Sequence, residues 1–213
     1  MHSALCPIQA AGHDRVGVRG SVSAASWTFQ PVTPERWADF EQLFGPHGAS
    51  AGCWCMFERL TRAEFAREQG AGNKQTMRAI IAGGAVPGLL AYAGTAPVGW
   101  CSIGPRKVYG ALERSRRLQR VDDQPMWSVV CVFTARSARR QGLTVALLRA
   151  AVAYAREHGA RIVEGYPVEP SRPDTPDAFA WRGTASAFRQ AGFVEVLRRS
   201  PTHPIMRYVL AEP

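Results

Sequence analysis

A strand, a basic loop and a helix are predicted in succession between Met126 and Gly159, and this stretch constrains the fold more than any other. The run from Trp127 to Phe133 is apolar, β-branched and aromatic, which is typical of a strand buried on both faces. From Leu143 to Tyr154 apolar residues recur at helical spacing, and Gly159 follows where such a helix is expected to end. The stretch therefore predicts a strand that leads into an amphipathic helix, as in α/β folds.

The loop between these two elements carries Arg139, Arg140, Gln141 and Gly142. The first N–H groups of the following helix have no acceptor within the helix, and the helix dipole is positive at that end. Gly142 lets a ligand approach the backbone, and the two arginines add positive charge. The loop is therefore predicted to bind phosphate. A P-loop is excluded because no G-x-x-x-x-G-K-[ST] occurs, and the missing G-x-G-x-x-G disfavours a dinucleotide fold.

The spacing Arg139-x-x-Gly142-x-Thr144 resembles the acetyl-CoA motif of the GNAT N-acetyltransferase superfamily, Arg/Gln-x-x-Gly-x-Gly/Ala. Thr144 departs from the last position of that motif but is still small. The resemblance implies one α/β domain, a mixed and strongly twisted sheet flanked by helices, with acetyl-CoA as co-substrate and no metal. It also implies that the CoA pyrophosphate is held by backbone groups of Arg139, Arg140, Gln141, Gly142, Leu143 and Thr144.

The order of the remaining elements supports the same resemblance. A hairpin is predicted from Leu89 to Ala93 and from Val98 to Ile103, just before the central strand. The short helix predicted between Gly183 and Phe193 resembles the second GNAT motif, whose helix packs beside the CoA arm, and Phe188 lies on it. Three further strands are expected over Arg161–Tyr166, Phe193–Leu197 and Ile205–Leu210.

The amino-terminal part of the chain divides into a tail and the start of the domain. Residues 1–26 lack periodicity and are interpreted as a disordered or weakly ordered tail, so the N-acetyltransferase domain is expected over 27–213. Trp27 to Val32 reads as a first strand, followed by a helix whose N-cap is Thr33. Thr61 and Glu64 have the spacing of a capping box.

Further along the chain, Asn73 is predicted to cap a third helix that buries Met77, Ile80 and Ile81. The segment Arg106 to Gln124 is polar and is interpreted mainly as an exposed helix and loop.

Bulk properties narrow the range of functions. The formal net charge is +9, but the arginines are scattered and no nucleic-acid-binding motif appears, so nucleic-acid binding ranks last. Five cysteines favour a reduced, cytoplasmic protein, and no secretory signal is visible. The uncharged stretch Ala79 to Pro105 is broken by glycines and prolines, which disfavours a membrane span. Cys53 and Cys55 are too closely spaced for a typical metal-binding pair.

The resemblance implies direct transfer of an acetyl group from acetyl-CoA to a primary amine, through a ternary complex. The alternative is a non-catalytic acyl-CoA-binding or regulatory module. The acceptor stays open among small molecules, antibiotics, polyamines and protein N-termini, and so does the oligomeric state, including a homodimer. On the central strand, Val132, Phe133 and Thr134 are assigned to the cofactor, with backbone groups of Val132 and Thr134 bonding the pantetheine arm.

The sequence departs from the family pattern at the positions of the residues that act as acid and base. Phe188 stands where many family members have a proton-donating tyrosine, and no carboxylate lies between Met126 and Thr134. The substitutes available in the sequence are Glu164, Ser186 and Cys131. We hypothesise that a partly buried Glu164 assists deprotonation while water protonates the thiolate. Otherwise the base lies in the Glu113–Asp123 loop, or the enzyme selects the neutral amine.

Overall fold

The computed structural model of the chain describes residues 26–169 and 181–210. Its strands are β1 Trp27–Pro31, β2 Gly88–Ala93, β3 Ala96–Pro105, β4 Trp127–Thr134, β5 Ile162–Gly165, β6 Val194–Arg198 and β7 Pro204–Val209. They form one seven-stranded sheet in the order β1-β2-β3-β4-β5-β7-β6. Only the β4–β5 pair is parallel, and the other neighbours are antiparallel. The predicted α/β class with a mixed sheet is confirmed.

Helices flank this sheet. The α-helices are α1 Trp37–Phe44, α2 Arg62–Arg67, α3 Ala71–Ala82, α4 Gly110–Glu113, α5 Leu143–Glu157 and α6 Ala185–Ala191. Short 3₁₀ turns span Pro34–Arg36, Arg106–Val108 and Arg136–Ala138. Helix α5 buries the periodic side chains of Leu143, Leu147 and Ala151 in the same apolar cluster as Val129 and Val132 of β4. Phe40 of α1 and Met77 of α3 bury themselves in a separate cluster with Trp100 of β3.

Local signals in the sequence located several helix ends correctly. Thr61 and Glu64 form the predicted capping box, in which each side chain accepts a hydrogen bond from the other residue's backbone N–H. Gly159, at φ +77°, follows α5 as predicted. Thr33 precedes the 3₁₀ turn at Pro34, but its side chain makes no capping hydrogen bond to the backbone.

The prediction that Asn73 caps the third helix is wrong. Helix α3 begins two residues earlier, at Ala71, and Asn73 is buried inside its first turns. The reason is a distant partner: Asn73 Nδ2 donates a 3.0 Å hydrogen bond to the carbonyl of Gly52. A buried amide needs such a partner, and this one ties α3 to the preceding loop.

The segment from Arg106 to Gln124 is less uniform than the sequence suggested. Arg114, Arg116 and Arg117 are exposed, as expected for a polar loop. Arg106 is only 1% exposed, so the interpretation of the segment as mainly exposed does not extend to this residue. A buried guanidinium needs buried acceptors, and carboxylates and carbonyls from distant segments supply them.

Two sequence predictions fall outside the described residues. The weakly ordered tail predicted over residues 1–26 is one of them, apart from Ser26. The other is a proline-rich loop that the sequence favours over Pro167 to Asp177, of which residues 170–177 lie outside the described residues.

Candidate functional site

A cleft opens where β4 and β5 separate. The two strands pair only over Trp127–Val129 and Val163–Gly165, and β5 ends there while β4 continues to Thr134. A bulge precedes the opening, because Ile103 pairs with Val129 whereas Ser102 pairs with Cys131. Bulges increase local twist, which here accompanies the divergence of the strands. Within the described residues, the second half of β4 therefore has no neighbouring strand on its β5 side.

Every second residue of β4 directs its backbone N–H and carbonyl towards this cleft. The N–H of Val132 points away from β3 and donates a 2.7 Å hydrogen bond to the carbonyl of Trp181, whereas the N–H of Ala135 bonds Val98 on the β3 side. Backbone groups alternate in direction along a strand, so those of Val132 and Thr134 face the cleft. Phe133 falls in the other set, and its ring packs 5.9 Å from that of Phe44.

Glycines and one aromatic ring shape the floor of the cleft. Phe188 is fully buried, and a Cβ on Gly165 would lie only 2.1 Å from its ring. A Cβ on Gly183 would lie 3.0 Å from Phe188 and 3.8 Å from Val132. These distances bring the predicted residues Val132 and Phe188 to the same place. Phe188 closes the floor as a packing group and offers no proton.

The N-terminus of α5 adjoins the end of β4. Gly142 has φ +83° in the left-handed region, and its carbonyl accepts the first helical hydrogen bond, from the N–H of Ala146 at 3.2 Å. The N–H groups of Leu143 and Thr144 precede this bond and point out of the helix end. The side chain of Leu143 is buried in the core, so only its backbone can face a ligand. This is the backbone arrangement predicted for a phosphate site.

Hydrogen bonds tie the basic loop to the end of β4. Arg139 Nε donates to the carbonyl of Thr134 at 3.4 Å, and Gln141 Nε2 donates to Ser137 at 2.9 Å. Arg139 and Arg140 are exposed. Positive side chains therefore surround a helix N-terminus beside the cleft edge, where the dipole has the same sign.

Glu164 lies in the interior, and the prediction that it is partly buried is wrong, because its exposure is 0%. Strand β5 runs between β4 and β7, so Ser128 and Arg207 stand on either side of Glu164. Glu164 Oε2 accepts a 2.8 Å bond from Arg207 Nε. Glu164 Oε1 accepts from Arg106 Nη1 at 3.0 Å and from the hydroxyl of Tyr166 at 2.6 Å. Both carboxylate oxygens are therefore occupied, by Tyr166 from the end of the same strand and by two arginines from distant segments.

The network around Glu164 extends to the protein surface. Arg106 Nε donates to Glu113 at 2.8 Å, and Arg207 Nη1 donates to Asp122 at 2.6 Å. The hydrogen bond from Arg207 lowers the pKa of Asp122. Burial, and then the charge of Glu164, raise the pKa of Tyr166 well above its ordinary value. We call Glu164, Arg106, Arg207 and Tyr166, with Glu113 and Asp122, the buried ion network.

The other two predicted substitutes for the acid and base lie elsewhere. Ser186 is exposed in the first turn of α6, with its hydroxyl 3.0 Å from that of Thr184. Cys131 packs against the cluster that contains Cys55. Its hydrogen bond with Cys55, together with burial, raises the pKa of the Cys131 thiol well above its usual value. The structure therefore does not bring Glu164, Ser186 and Cys131 together.

A second cavity was not anticipated from the sequence. It has a volume of about 920 Å³ and lies beside the buried ion network. We call it the arginine pocket, and its lining includes Arg62, Arg114, Arg116, Arg117, Arg182, Glu58, His203, Phe57 and Phe65. The run L-E-R-S-R-R-L, from Leu112 to Leu118, was the available signal, because it places three of these arginines within four residues.

Between residues 26 and 169 and between 181 and 210, no cluster of three or more His, Cys, Asp or Glu side chains has the arrangement of a metal site. In the same ranges, no helix combines the length and apolar character that crossing a membrane requires.

Comparison with known proteins agrees with this geometry. The family model described as "Acetyltransferase (GNAT) family" matches residues 54–173. No curated protein sequence matches the chain. A structure described as "histone acetyltransferase HPA2 and related acetyltransferase" from Corynebacterium glutamicum superposes with a TM-score of 0.50 at 19% identity, covering 88% of this chain and 98% of the other.

Two further structures show the same fold at low identity. An acetyltransferase of the GNAT family from Streptococcus agalactiae has a TM-score of 0.52 and 9% identity, over 87% of this chain and 96% of that one. A GNAT-family acetyltransferase from Streptococcus pneumoniae has a TM-score of 0.50 and 13% identity, over 87% and 100% of the two chains. At these identities the likeness concerns the fold alone.

Proposed function

The chain belongs to the acetyltransferase (GNAT) family, and on that premise we propose that it transfers the acetyl group of acetyl-CoA directly to a primary amine. One observation carries the proposal: the β5-side edge of β4, which has no neighbouring strand beyond Val129 within the described residues, lies beside the N-terminus of α5. A strand edge can bind the amide-containing arm of CoA, and the helix terminus can bind its phosphates. Both features lie within residues 127–144, one after the other in the chain.

We assign the pyrophosphate to the loop between β4 and α5. The N–H groups of Leu143 and Thr144 and the exposed side chain of Arg140 supply hydrogen-bond donors and positive charge. The positive φ of Gly142 turns the chain into the helix while leaving the space beside it open, since nothing lies within 4 Å of a Cβ placed there. These residues fit a diphosphate group.

The N–H of Val132 is the donor that we assign to the thioester end of acetyl-CoA. This N–H bonds the carbonyl of Trp181, so binding there requires one acceptor to replace another. A backbone N–H aimed at a developing oxyanion stabilises the tetrahedral intermediate of acyl transfer. Trp181 therefore has to withdraw its carbonyl, which then needs another donor such as water.

The proton balance of the reaction favours a neutral amine as the attacking species. The C–N bond forms, the C–S bond breaks, the amine loses one proton and the thiolate gains one. Glu164 is an unfavourable acceptor for that proton, because Arg106, Arg207 and Tyr166 already bond both of its oxygens. We therefore propose that the neutral amine attacks without a protein base, that water accepts the proton which its nitrogen loses, and that water returns one proton to the thiolate.

Release of the CoA thiol from acetyl-CoA, followed across a panel of amines and a range of pH, tests this proposal. We expect kcat/KM to rise with pH until the amine is neutral, so the acidic limb should move with the pKa of each amine. A limb that stays at one pH for all amines would instead identify an ionising group of the protein, and the base would then have to be sought among the carboxylates, beginning with Glu164.

The alternative is an acyl-CoA-binding module without turnover. Two observations favour it: Phe188 has no proton to give, and the Val132 N–H is already paired with Trp181. Calorimetry with CoA, performed beside the thiol-release assay, separates the two functions. Tight binding with no thiol release from any amine would establish the binding module.

A further inference from the structure

The arginine pocket adjoins the proposed transfer point. Trp181, whose carbonyl bonds Val132, places its ring 5.3 Å from that of Phe57, and Phe57 lies 5.3 Å from Phe65. Both phenylalanines line the pocket. The residue after Trp181 is Arg182, which lines it as well. One aromatic wall therefore leads from the cleft edge of β4 into the pocket.

The charges of this pocket are unbalanced. Five arginines line it, against a single acidic residue, Glu58. Glu58 is bonded to Arg182, so its charge is already neutralised. Among the described residues, no salt bridge involves the other four arginines, Arg62, Arg114, Arg116 and Arg117.

Two details indicate that these charges act on the pocket itself. Arg182 Nε is buried and has no hydrogen-bond partner within the described part of the chain. The pKa of His203, which also lines the pocket, is lowered by burial and then by the charges of Arg182 and Arg117. Like charges gathered in one cavity destabilise a fold, and arrangements of that kind are typical of binding sites.

We propose that the arginine pocket binds the acceptor, and that the acceptor is an amine whose other end carries an oxyanion, a carboxylate or a phosphate. This inference rests on the proposed transferase function. Guanidinium groups bind both oxyanions through paired hydrogen bonds. The amine points along the aromatic wall towards Val132, while the oxyanion lies among Arg114, Arg117 and Arg182. The same charges repel polyamines and polycationic antibiotics, which removes two of the acceptor classes that the sequence left open.

Matched amines test the proposal, with rates referred to the concentration of neutral amine. Phosphoethanolamine is compared with ethanolamine, phenylalanine with 2-phenylethylamine, and spermidine serves as the polycation. We expect kcat/KM to be about tenfold or more higher for at least one anionic member than for its uncharged partner, as charge-assisted hydrogen bonds allow. The two pairs separate phosphate from carboxylate. A preference for the uncharged amines or for spermidine would overturn the proposal.

Three arginine variants test whether the preference for anionic amines arises in the arginine pocket. Arg114→Gln and Arg117→Gln should each raise the KM for the anionic amine about tenfold and leave the KM for acetyl-CoA unchanged. Arg156→Gln, exposed on α5 and outside the pocket, is the matched control and should change neither constant. If the pocket variants raise the KM for acetyl-CoA instead, the pocket belongs to the cofactor and the proposal is wrong.

A binding measurement distinguishes failure of this inference from failure of the transferase function. NMR titration of His203 in the CoA-bound protein, with phosphoethanolamine and separately with phenylalanine, should show its pKa rising as an oxyanion offsets the positive field. The rise should be smaller in Arg117→Gln. If no amine is acetylated but this rise occurs, the anion site stands and the transferase proposal fails. If amines are acetylated and neither anion moves the pKa of His203, the anion site is refuted alone.

Discussion

Two groups of arginines, only a few residues apart in the sequence, behave in opposite ways. Arg106 is buried and bonded to Glu113 and Glu164. Arg114 and Arg117 are exposed and have no salt bridge within the described part of the chain. The residue type is the same, so the difference lies in what the fold places opposite each guanidinium. A charge that the fold neutralises contributes to structure, whereas a charge that the fold leaves unbalanced is available to a ligand.

The largest effect is expected from breaking the buried ion network at its centre. Glu164→Gln keeps the shape of the side chain but leaves Arg106 and Arg207 buried without a full counter-charge. We expect a loss of about 3–5 kcal/mol in the free energy of unfolding, the usual cost of removing one partner of a buried pair. Urea unfolding measures it. Glu195→Gln, which breaks an exposed pair with Arg198, is the control and should cost about 0–1 kcal/mol. Equal losses in the two variants would contradict the comparison.

A smaller effect is expected in the loop between β4 and α5. There the proposed pyrophosphate site depends on backbone conformation as well as on arginine charge. Gly142→Ala places a side chain at φ +83°, in open space, so the cost is conformational. We expect a loss of roughly 1–2 kcal/mol in unfolding free energy and weaker CoA binding. Gly84→Ala, also at positive φ with open space around it, is the control: a similar loss of stability there should leave CoA affinity intact. Unchanged CoA affinity in Gly142→Ala would remove Gly142 from the cofactor site.

The ion pair of Asp122 with Arg207, at the outer end of the buried ion network, should make the free energy of unfolding depend on pH in the acid range. Arg207 holds the pKa of Asp122 below its usual value of about 3.9, so the unfolded chain binds the proton more readily. The stabilisation is therefore complete above that value and is lost as pH falls through the folded-state pKa. Urea unfolding from pH 6 to pH 2 should show a shallower decline in Asp122→Asn than in the wild type. An equally shallow decline in Asp123→Asn, which removes a neighbouring carboxylate without a salt bridge in the described structure, would show that the effect is not specific to the pair of Asp122 and Arg207.

The smallest effect on stability is expected in the arginine pocket, where a substitution should weaken binding of the anionic amine without destabilising the fold. Arg117→Gln removes an unbalanced charge, so the free energy of unfolding should change by no more than about 0.5 kcal/mol in either direction. Denaturant unfolding provides the measurement. A loss of 2 kcal/mol or more would show that Arg117 has a structural partner, and the contrast with Arg106 would disappear.

The sequence by itself determined the elements that depend on neighbouring residues. The strand, loop and helix from Trp127 to Glu157 follow from hydrophobic periodicity over about thirty residues. The capping box at Thr61 depends on a residue three positions away, and the turn at Gly142 depends on one backbone conformation. Because these signals are local, they are readable without knowledge of the fold, and together with the order of the strands they identified the family.

Only the tertiary structure decided how polar groups far apart in the chain are paired. Glu164 was predicted to be partly exposed, yet β7 places Arg207 beside it and the turn after β3 places Arg106 beneath it. Asn73 bonds a carbonyl 21 residues away instead of capping its own helix. A buried charge or amide is stable only if the fold places a hydrogen-bonding partner beside it. Partners that strand order brings together are far apart in the chain, so they leave no periodic signal in the sequence. For the same physical reason, the sequence showed that arginines were abundant, and only the fold decided which of them are neutralised.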